Sequence, residues 1–129
     1  MSTKKDKYSS KDKNFMRIAF NLAIARKGLT GNNPSVGCVI VKNDKIISVG
    51  QTGYDGRPHA ETNAIAKLAR SSESGDGCIA FITHQPCLDC AKLLYQAGVK
   101  EVYYAHEYRL NDGVTFLEKC GIHVEQMAL

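Results

Sequence analysis

Two short motifs constrain this chain more than any other feature, because their side chains form a site only if the fold brings them together. The first motif is His59-Ala60-Glu61 and the second is Pro86-Cys87-Leu88-Asp89-Cys90. One imidazole and two thiolates supply three ligands for tetrahedral zinc and leave the fourth position open to water, as in catalytic zinc sites. The motifs therefore predict a Zn²⁺ cofactor held by His59, Cys87 and Cys90.

Glu61 lies two residues from the histidine and is not needed as a ligand. Bound zinc lowers the pKa of its water to about 7, so that a nearby carboxylate can take the proton and pass it to a leaving group. We therefore predict that Glu61 is the catalytic acid and base of a hydrolytic reaction.

The alternative is a closed structural zinc site, because a lone C-x-x-C motif is also typical of such sites. That site needs a second pair of ligands. The other histidines, His84, His106 and His123, form no such pair in the sequence. We predict that His84 lies in the pocket instead of binding the metal, and that the other two have no role.

Hydrophobic periodicity and turn residues predict alternating helices and strands. The predicted helices span residues 12–26, 59–70, 86–98 and 112–120, and the predicted strands span residues 36–41, 46–49, 78–83, 99–104 and 122–124. The first two strands read as an antiparallel hairpin, whereas the later βαβ crossovers imply parallel pairing. The expected fold is three-layer α/β/α with a mixed five-stranded sheet.

The predicted helices also explain how the two motifs meet. The histidine stands at the start of one helix, and both cysteines stand in the first turn of another. Cysteines three residues apart lie on one face of a helix, and a helix N-terminus favours the thiolate. Two helix starts are therefore expected to converge on one metal.

Charge and composition limit the possible partners. At 129 residues, the chain is expected to form one domain over residues 14–129, after a mobile basic tail over residues 1–13. That tail carries five lysines and two aspartates, which account for most of the formal charge of +4. The remainder is nearly neutral, so a nucleic-acid partner is possible but not favoured.

Several features favour a cytoplasmic protein with no membrane contact. No apolar run approaches the roughly 20 residues that span a bilayer, and the opening residues contain no apolar signal region. Five cysteines are an odd number, which favours reduced thiols. Cys38, Cys78 and Cys120 are expected in the core.

The pairing of H-x-E with P-C-x-x-C is a signature of zinc nucleobase deaminases, in which the glutamate is the acid and base. With these motifs, residues 14 to 126 resemble the cytidine and deoxycytidylate deaminase superfamily. The resemblance implies a small-molecule nucleotide substrate, the cytidine-deaminase-like fold and a homo-oligomer.

The two halves of the chain resemble different branches. The run Ile82-Thr83-His84-Gln85-Pro86-Cys87-Leu88-Asp89-Cys90 is similar to deoxycytidylate deaminase, whereas Asn33-Pro34-Ser35-Val36-Gly37 and Gly56-Arg57-Pro58-His59 are similar to the riboflavin-biosynthesis deaminase domain. That domain normally has a longer insertion after Pro-Cys. The short cysteine spacing therefore favours conversion of dCMP to dUMP with release of ammonia.

Three alternatives remain open beside dCMP. They are the riboflavin-pathway diaminohydroxyphosphoribosylaminopyrimidine, a tRNA adenosine or other nucleobase, and a non-catalytic zinc-binding adaptor. The tRNA branch shares the Asn-Pro segment and the short cysteine spacing, but Gln85 stands where that branch usually has glutamate.

The resemblance also implies substrate contacts. Asn33 would hydrogen-bond the ring or its ribose, although a plain turn role before proline is the alternative. The backbone of Ala60 would contact the carbonyl edge, and His84 would line the pocket. Cations near the site-bearing loops are candidates for binding a phosphate; they are Arg57, Lys92 and Arg109.

Overall fold

The computed structural model describes residues 7–127. Its helices are α1 (Ser10–Ala25), α2 (Ala60–Ala69), α3 (Leu88–Ala97) and α4 (Asp112–Lys119), and its strands are β1 (Gly37–Lys42), β2 (Lys45–Gln51), β3 (Ile79–His84), β4 (Glu101–His106) and β5 (His123–Gln126). A short 3₁₀ turn, Tyr54–Gly56, precedes α2. The predicted order of helices and strands is confirmed.

The five strands form one mixed sheet in the order β2-β1-β3-β4-β5. Strand β1 is antiparallel to both β2 and β3, whereas β3, β4 and β5 are mutually parallel. The hairpin turns at Asn43 and Asp44, both with positive φ, as a two-residue turn between right-twisted strands requires. The crossovers through α3 and α4 produce the parallel pairs.

Alternation along the strands places helices on both faces of the sheet. Cys38 and Ile40 pack into a core with residues of α2, α3 and α4, whereas Val39 and Val41 pack on the other face with residues of α1. Phe81 of β3 is 1% exposed and belongs to the α1 side. The expected three-layer α/β/α architecture is confirmed.

The N-terminal boundary differs from the expected one. Helix α1 begins at Ser10, because the Ser9 side chain accepts a hydrogen bond from the Asp12 N–H at 3.0 Å and caps the first turn. Residues 10–13 are therefore helical, and the prediction of a tail over residues 1–13 is wrong for them. Residues 1–6 of that predicted tail lie outside the described residues.

Two further details correct the sequence-based expectations. Helix α3 begins at Leu88, so Cys87 is its N-cap instead of a first-turn residue. Cys38 and Cys78 are buried as expected, but Cys120 is exposed because it lies just beyond the end of α4. Within residues 7–127, no helix is long and apolar enough to cross a membrane.

One edge of the sheet gathers the loops that carry the motifs. Because β1 is antiparallel to β2 and β3, its start lies at the same edge as their carboxyl ends, and β4 ends there too. The segment before β1 and the loops after β2, β3 and β4 therefore meet. Ligands commonly bind outside the carboxyl ends of strands in α/β sheets.

Gly50 determines how closely α2 approaches this sheet. A Cβ atom at Gly50 would lie 2.2 Å from the Ala60 carbonyl oxygen and 2.5 Å from the Ala64 nitrogen. Only a residue without a side chain leaves room for the helix at this distance. The glycine in β2 therefore helps to place the first turn of α2, which carries the first motif.

Candidate active site

The predicted metal ligands come together at the starts of two helices. His59 is the N-cap of α2, Cys87 is the N-cap of α3, and Cys90 lies in the first turn of α3. His59 Nδ1 is 3.6 Å from Cys87 Sγ and 3.5 Å from Cys90 Sγ. All three donor atoms lie within 4.8 Å of one another.

This spacing fits zinc. Bonds of about 2.0 Å to nitrogen and about 2.3 Å to sulfur, at a tetrahedral angle, place the two donors about 3.5 Å apart. The observed separations of 3.5 and 3.6 Å match that value. One nitrogen and two sulfurs are also a donor set that zinc prefers. The site therefore suits zinc with three protein ligands.

The pKa values of the two cysteine thiols shift in opposite directions. Hydrogen bonding from the Cys90 side chain, with further help from its N–H 3.5 Å away and from His59, lowers the pKa of Cys87 to about 5. The pKa of Cys90 moves upward, because its thiol donates to Cys87 and is itself buried. The Thr62 hydroxyl lies 3.9 Å from Cys90 Sγ and can donate to its thiolate.

Glu61 lies in the first turn of α2 and is buried, with 5% of its surface exposed. Burial raises the pKa of its carboxyl to about 7. A cation bound nearby would lower this pKa again, since it stabilises the carboxylate. Without a bound cation, the side chain can therefore exist in either protonation state close to neutral pH.

A pocket opens beside these groups at the edge of the sheet. It is lined by Asn33, Pro34, Val36, Thr52, His59, Ala60, Glu61, His84, Gln85, Cys87 and Tyr108. The structure thus brings the three predicted substrate-contact residues, Asn33, Ala60 and His84, to one cavity with the predicted proton carrier.

The Asn33 side chain is held in place by its neighbours. Its Nδ2 donates to the Gly56 carbonyl at 2.9 Å, and the Thr30 hydroxyl donates to the Asn33 carbonyl at 2.7 Å. Gly56 has φ of 96° and no room for a side chain, because a Cβ would lie 2.8 Å from the Asn33 Nδ2. The carboxamide oxygen is left as the group that can accept from a ligand.

His84 lines the pocket but is not part of the three-donor group. Its Nδ1 is buried and has no hydrogen-bond partner among the described residues. Burial, with a smaller contribution from His106, lowers the pKa of its imidazole, and the two rings lie 5.3 Å apart. A neutral His84 is therefore available to hydrogen-bond a ligand.

The structure does not bring the predicted phosphate-binding cations into this pocket. None of the three is among the residues that line it. Arg57 lines a separate groove with His59 and Asp89, and Lys92 is exposed on α3. Arg109 is exposed and follows Tyr108 in the loop between β4 and α4.

Sequence reasoning missed three pocket residues that follow strands, namely Thr52, Tyr108 and Gln85, the last of which directly follows β3. Thr52 is 1% exposed, follows β2 and accepts a hydrogen bond from the Val36 N–H at 2.8 Å. Tyr108 follows β4, next to β3 in the sheet. Each lies just after a strand that ends at the edge of the sheet where the two motifs meet. This position can be recognised only when the strand order is known.

Comparisons with known proteins agree with this geometry. The family described as the cytidine and deoxycytidylate deaminase zinc-binding region matches residues 9–106. The chain is 36% identical over 124 residues to the riboflavin biosynthesis protein RibD of Aquifex aeolicus, covering 88% of this chain and 34% of that protein. The chain thus spans about a third of that relative's length.

Two shorter relatives are covered more fully. The diaminohydroxyphosphoribosylamino-pyrimidine deaminase of Buchnera aphidicola subsp. Schizaphis graminum is 35% identical over 125 residues, covering 89% of this chain and 83% of that protein. The crystal structure of dCMP deaminase from cyanophage S-TIM5, in complex with dCMP and dUMP, aligns with a TM-score of 0.80 and 38% identity. That alignment covers 93% of this chain and 99% of the phage chain.

The family match covers both motifs and most of the sheet, and the three donors are spaced for zinc. The chain belongs to the cytidine and deoxycytidylate deaminase family of zinc enzymes.

Proposed function

We propose that this protein deaminates an aminopyrimidine nucleotide by hydrolysis, and that the substrate is dCMP, converted to dUMP and ammonia. The choice of dCMP as substrate rests on one observation, the separation of Cys87 and Cys90 by a single helical turn. This spacing is similar to that of deoxycytidylate deaminases. Nearly the whole of the phage dCMP deaminase, whose structure contains dCMP and dUMP, is covered at 38% identity.

His59, Cys87 and Cys90 would hold zinc, which when bound would supply a water of lowered pKa as the nucleophile. Glu61 would accept a proton from the attacking water and donate one to the amino group that leaves as ammonia. The water oxygen replaces the amino nitrogen on the ring carbon, so one water is consumed for each ammonia released. Burial of the carboxyl supports this role, because it raises the carboxyl pKa and so opposes the lowering that a bound cation would cause.

The pocket wall supplies candidate groups for orienting the ring. The N–H groups in the first turn of a helix have no intrahelical acceptor, so the Ala60 N–H can donate to the carbonyl edge of the pyrimidine. Asn33 accepts from a sugar hydroxyl or ring N–H through its oxygen, and His84 donates or accepts beside it. These three residues bind substrate in the proposed complex.

The riboflavin-pathway aminopyrimidine is the second candidate. Identities of 36% and 35% to the Aquifex and Buchnera relatives favour it, as does the segment Asn33-Pro34 before β1. Both candidates share the site chemistry, since each presents an exocyclic amine on a pyrimidine ring. They differ in the other groups attached to the ring, which the pocket must also accommodate.

A panel assay separates these candidates. Ammonia release is measured from dCMP, CMP, cytidine, the riboflavin-pathway aminopyrimidine, guanine and a tRNA anticodon stem-loop, at equal concentrations of the zinc-loaded protein. The proposal requires the highest kcat/KM with dCMP. A higher kcat/KM with the riboflavin intermediate or the stem-loop would identify that compound, and not dCMP, as the substrate. No ammonia release from any compound would favour the non-catalytic adaptor.

We also propose that the protein is a homo-oligomer, as the resemblance implies. Exposed apolar side chains are consistent with a contact surface; Tyr95 is 49% exposed on α3 and Leu110 is 52% exposed before α4. Light scattering after gel filtration measures the mass directly. A mass equal to one chain of 14.2 kDa would contradict the proposal.

A further inference from the structure

Gln85 is a pocket residue whose hydrogen bonds the reaction does not explain. It follows β3, lines the pocket and is 4% exposed. Its Nε2 donates to the Leu110 carbonyl at 3.2 Å and to Asn111 Oδ1 at 2.8 Å. Its Oε1 accepts from the Tyr108 N–H at 3.2 Å. Both ends of this buried carboxamide are therefore used on one neighbouring loop.

That loop, residues 107–111, connects β4 to α4 and will be called the 107–111 loop. Within the described part of the chain, residues 107–110 make no hydrogen bonds other than those to the Gln85 side chain. Its large side chains are also poorly buried, since Leu110 is 52% and Tyr108 is 36% exposed. Its conformation therefore depends on one buried amide and not on packing of its own.

Both ends of the loop are tied to the structure that carries the second motif. The Gln85 N–H donates to the His106 carbonyl at 2.8 Å, where β4 ends. At the other end, a Cβ on Gly113 would lie 2.2 Å from the Pro86 carbonyl oxygen, so the first turn of α4 packs directly against the residues before α3. Between these two fixed points, the Gln85 side chain determines the path of the loop.

The path matters because Tyr108 lines the pocket beside Glu61 and His84. We propose that Gln85 is a positioning residue, which holds the 107–111 loop so that Tyr108 contacts the bound nucleotide, and that it thereby sets substrate affinity and not the rate of the chemical step. This inference rests on the proposed function, since the contact is to the substrate proposed above.

The hydrogen-bond pattern also explains why glutamine is needed at this position. A glutamate would still accept from the Tyr108 N–H, but its carboxylate has no hydrogen to donate. It would instead face the Leu110 carbonyl oxygen and Asn111 Oδ1. Asn111 can turn its amide to donate, but the backbone carbonyl cannot, so one repulsive pair remains. Glutamate is therefore expected to displace the loop.

A double-mutant cycle tests this assignment. Gln85→Met keeps the length and buried volume of the side chain but removes its three hydrogen bonds, and Tyr108→Ala removes the proposed substrate contact. We expect each variant to raise KM roughly tenfold, as when a hydrogen-bonded contact to a ligand is lost, with kcat and zinc content unchanged. The double variant should have the same KM as Tyr108→Ala, because Gln85 acts through Tyr108.

The control is Gln96→Met, which makes the same replacement at an exposed position of α3 and should leave KM unchanged. An unaltered KM in Gln85→Met, a loss in kcat alone, or KM increases that multiply in the double variant would each overturn the assignment. Should Gln85→Met fail to fold, Gln85→Glu replaces it in the cycle with the same expected KM.

All variants are assayed on whichever compound of the panel the wild-type protein deaminates best. A different best substrate than dCMP would then change the proposed function but leave the test of Gln85 intact. An active wild type with unaffected variants would overturn the Gln85 assignment alone. A wild type inactive on every compound would overturn both.

Discussion

His59 Nδ1 lies 3.5 Å from Cys90 Sγ, although the two residues are 31 positions apart in the chain. Each stands within the first turn or cap of its own helix, α2 or α3. The two helix starts meet because β2 and β3 end at the same edge of the sheet, one on each side of β1. The three metal donors come together only because these two helix starts meet.

Replacing either zinc cysteine should remove the metal and lower stability. Cys87→Ala or Cys90→Ala leaves two donors where zinc needs three, and metal binding at a site that joins two helices contributes to folding. We expect loss of the roughly one equivalent of zinc per chain, together with a lower melting temperature, measured by metal analysis and calorimetry. Cys120→Ala is the matched control, because that cysteine is exposed and is not one of the three metal donors. Retention of full zinc in both Cys87 and Cys90 variants would point to another site.

Removal of the Glu61 carboxylate should stop turnover without removing the metal. Glu61→Gln keeps the size of the buried side chain but cannot carry a proton. General acid and base catalysis typically contributes about 10²- to 10⁴-fold, so kcat should fall by at least about 10²-fold. Zinc content is measured on the same preparation and should equal that of the wild type. Near-normal kcat would show that another group carries the proton.

A methyl group at Gly50 should disturb the active site from outside it. In Gly50→Ala, the new Cβ would collide with the Ala60 carbonyl oxygen and the Ala64 nitrogen, so α2 must move away from β2. Overpacking of this kind costs about 1–3 kcal/mol of unfolding free energy. Denaturant unfolding should show this loss, and zinc affinity should fall because His59 begins the same helix. Equal stability and zinc affinity in the variant would mean that the helix adjusts freely.

Acid should weaken the attachment of the N-terminal region to β5. Burial alone would raise the pKa of Glu125, but hydrogen bonds from Lys7, Tyr8 and His123 outweigh it and hold this pKa below its usual value of 4.5. A carboxyl whose pKa is lower in the folded state stabilises the fold above about pH 4.5, and this contribution disappears as pH falls through the folded pKa.

The corresponding variant is Glu125→Gln. It should reduce the unfolding free energy at pH 7 by up to about 1 kcal/mol, because the Lys7 ammonium, 2.8 Å from the carboxylate, is mostly exposed. The difference from wild type should vanish in acid strong enough to protonate Glu125. Glu118→Gln, at an exposed position of α4, controls for the loss of charge. A difference that persisted in acid would assign the effect to packing.

Most of the fold could be predicted because its signals are local. The β-branched runs from Val36 and Ile46 predicted the hairpin, and Gly98 predicted the end of α3, where it adopts φ of 96°. The errors were also local. A serine cap at Ser9 moved the start of α1, and Cys120 was placed in the core although α4 ends one residue earlier. Caps and helix ends depend on single hydrogen bonds, which hydrophobic periodicity does not report.

The sequence by itself determined which chemistry to expect, because a histidine, two cysteines and a glutamate are the residue types of an open zinc site with a predicted proton carrier. Only the tertiary structure decided which other residues share their pocket. Thr52, Gln85 and Tyr108 follow three different strands and have no common spacing, and they meet because those strands end at one edge of the sheet. Local patterns specify side-chain chemistry, whereas contacts between loops depend on strand order, which arises from packing over the whole chain.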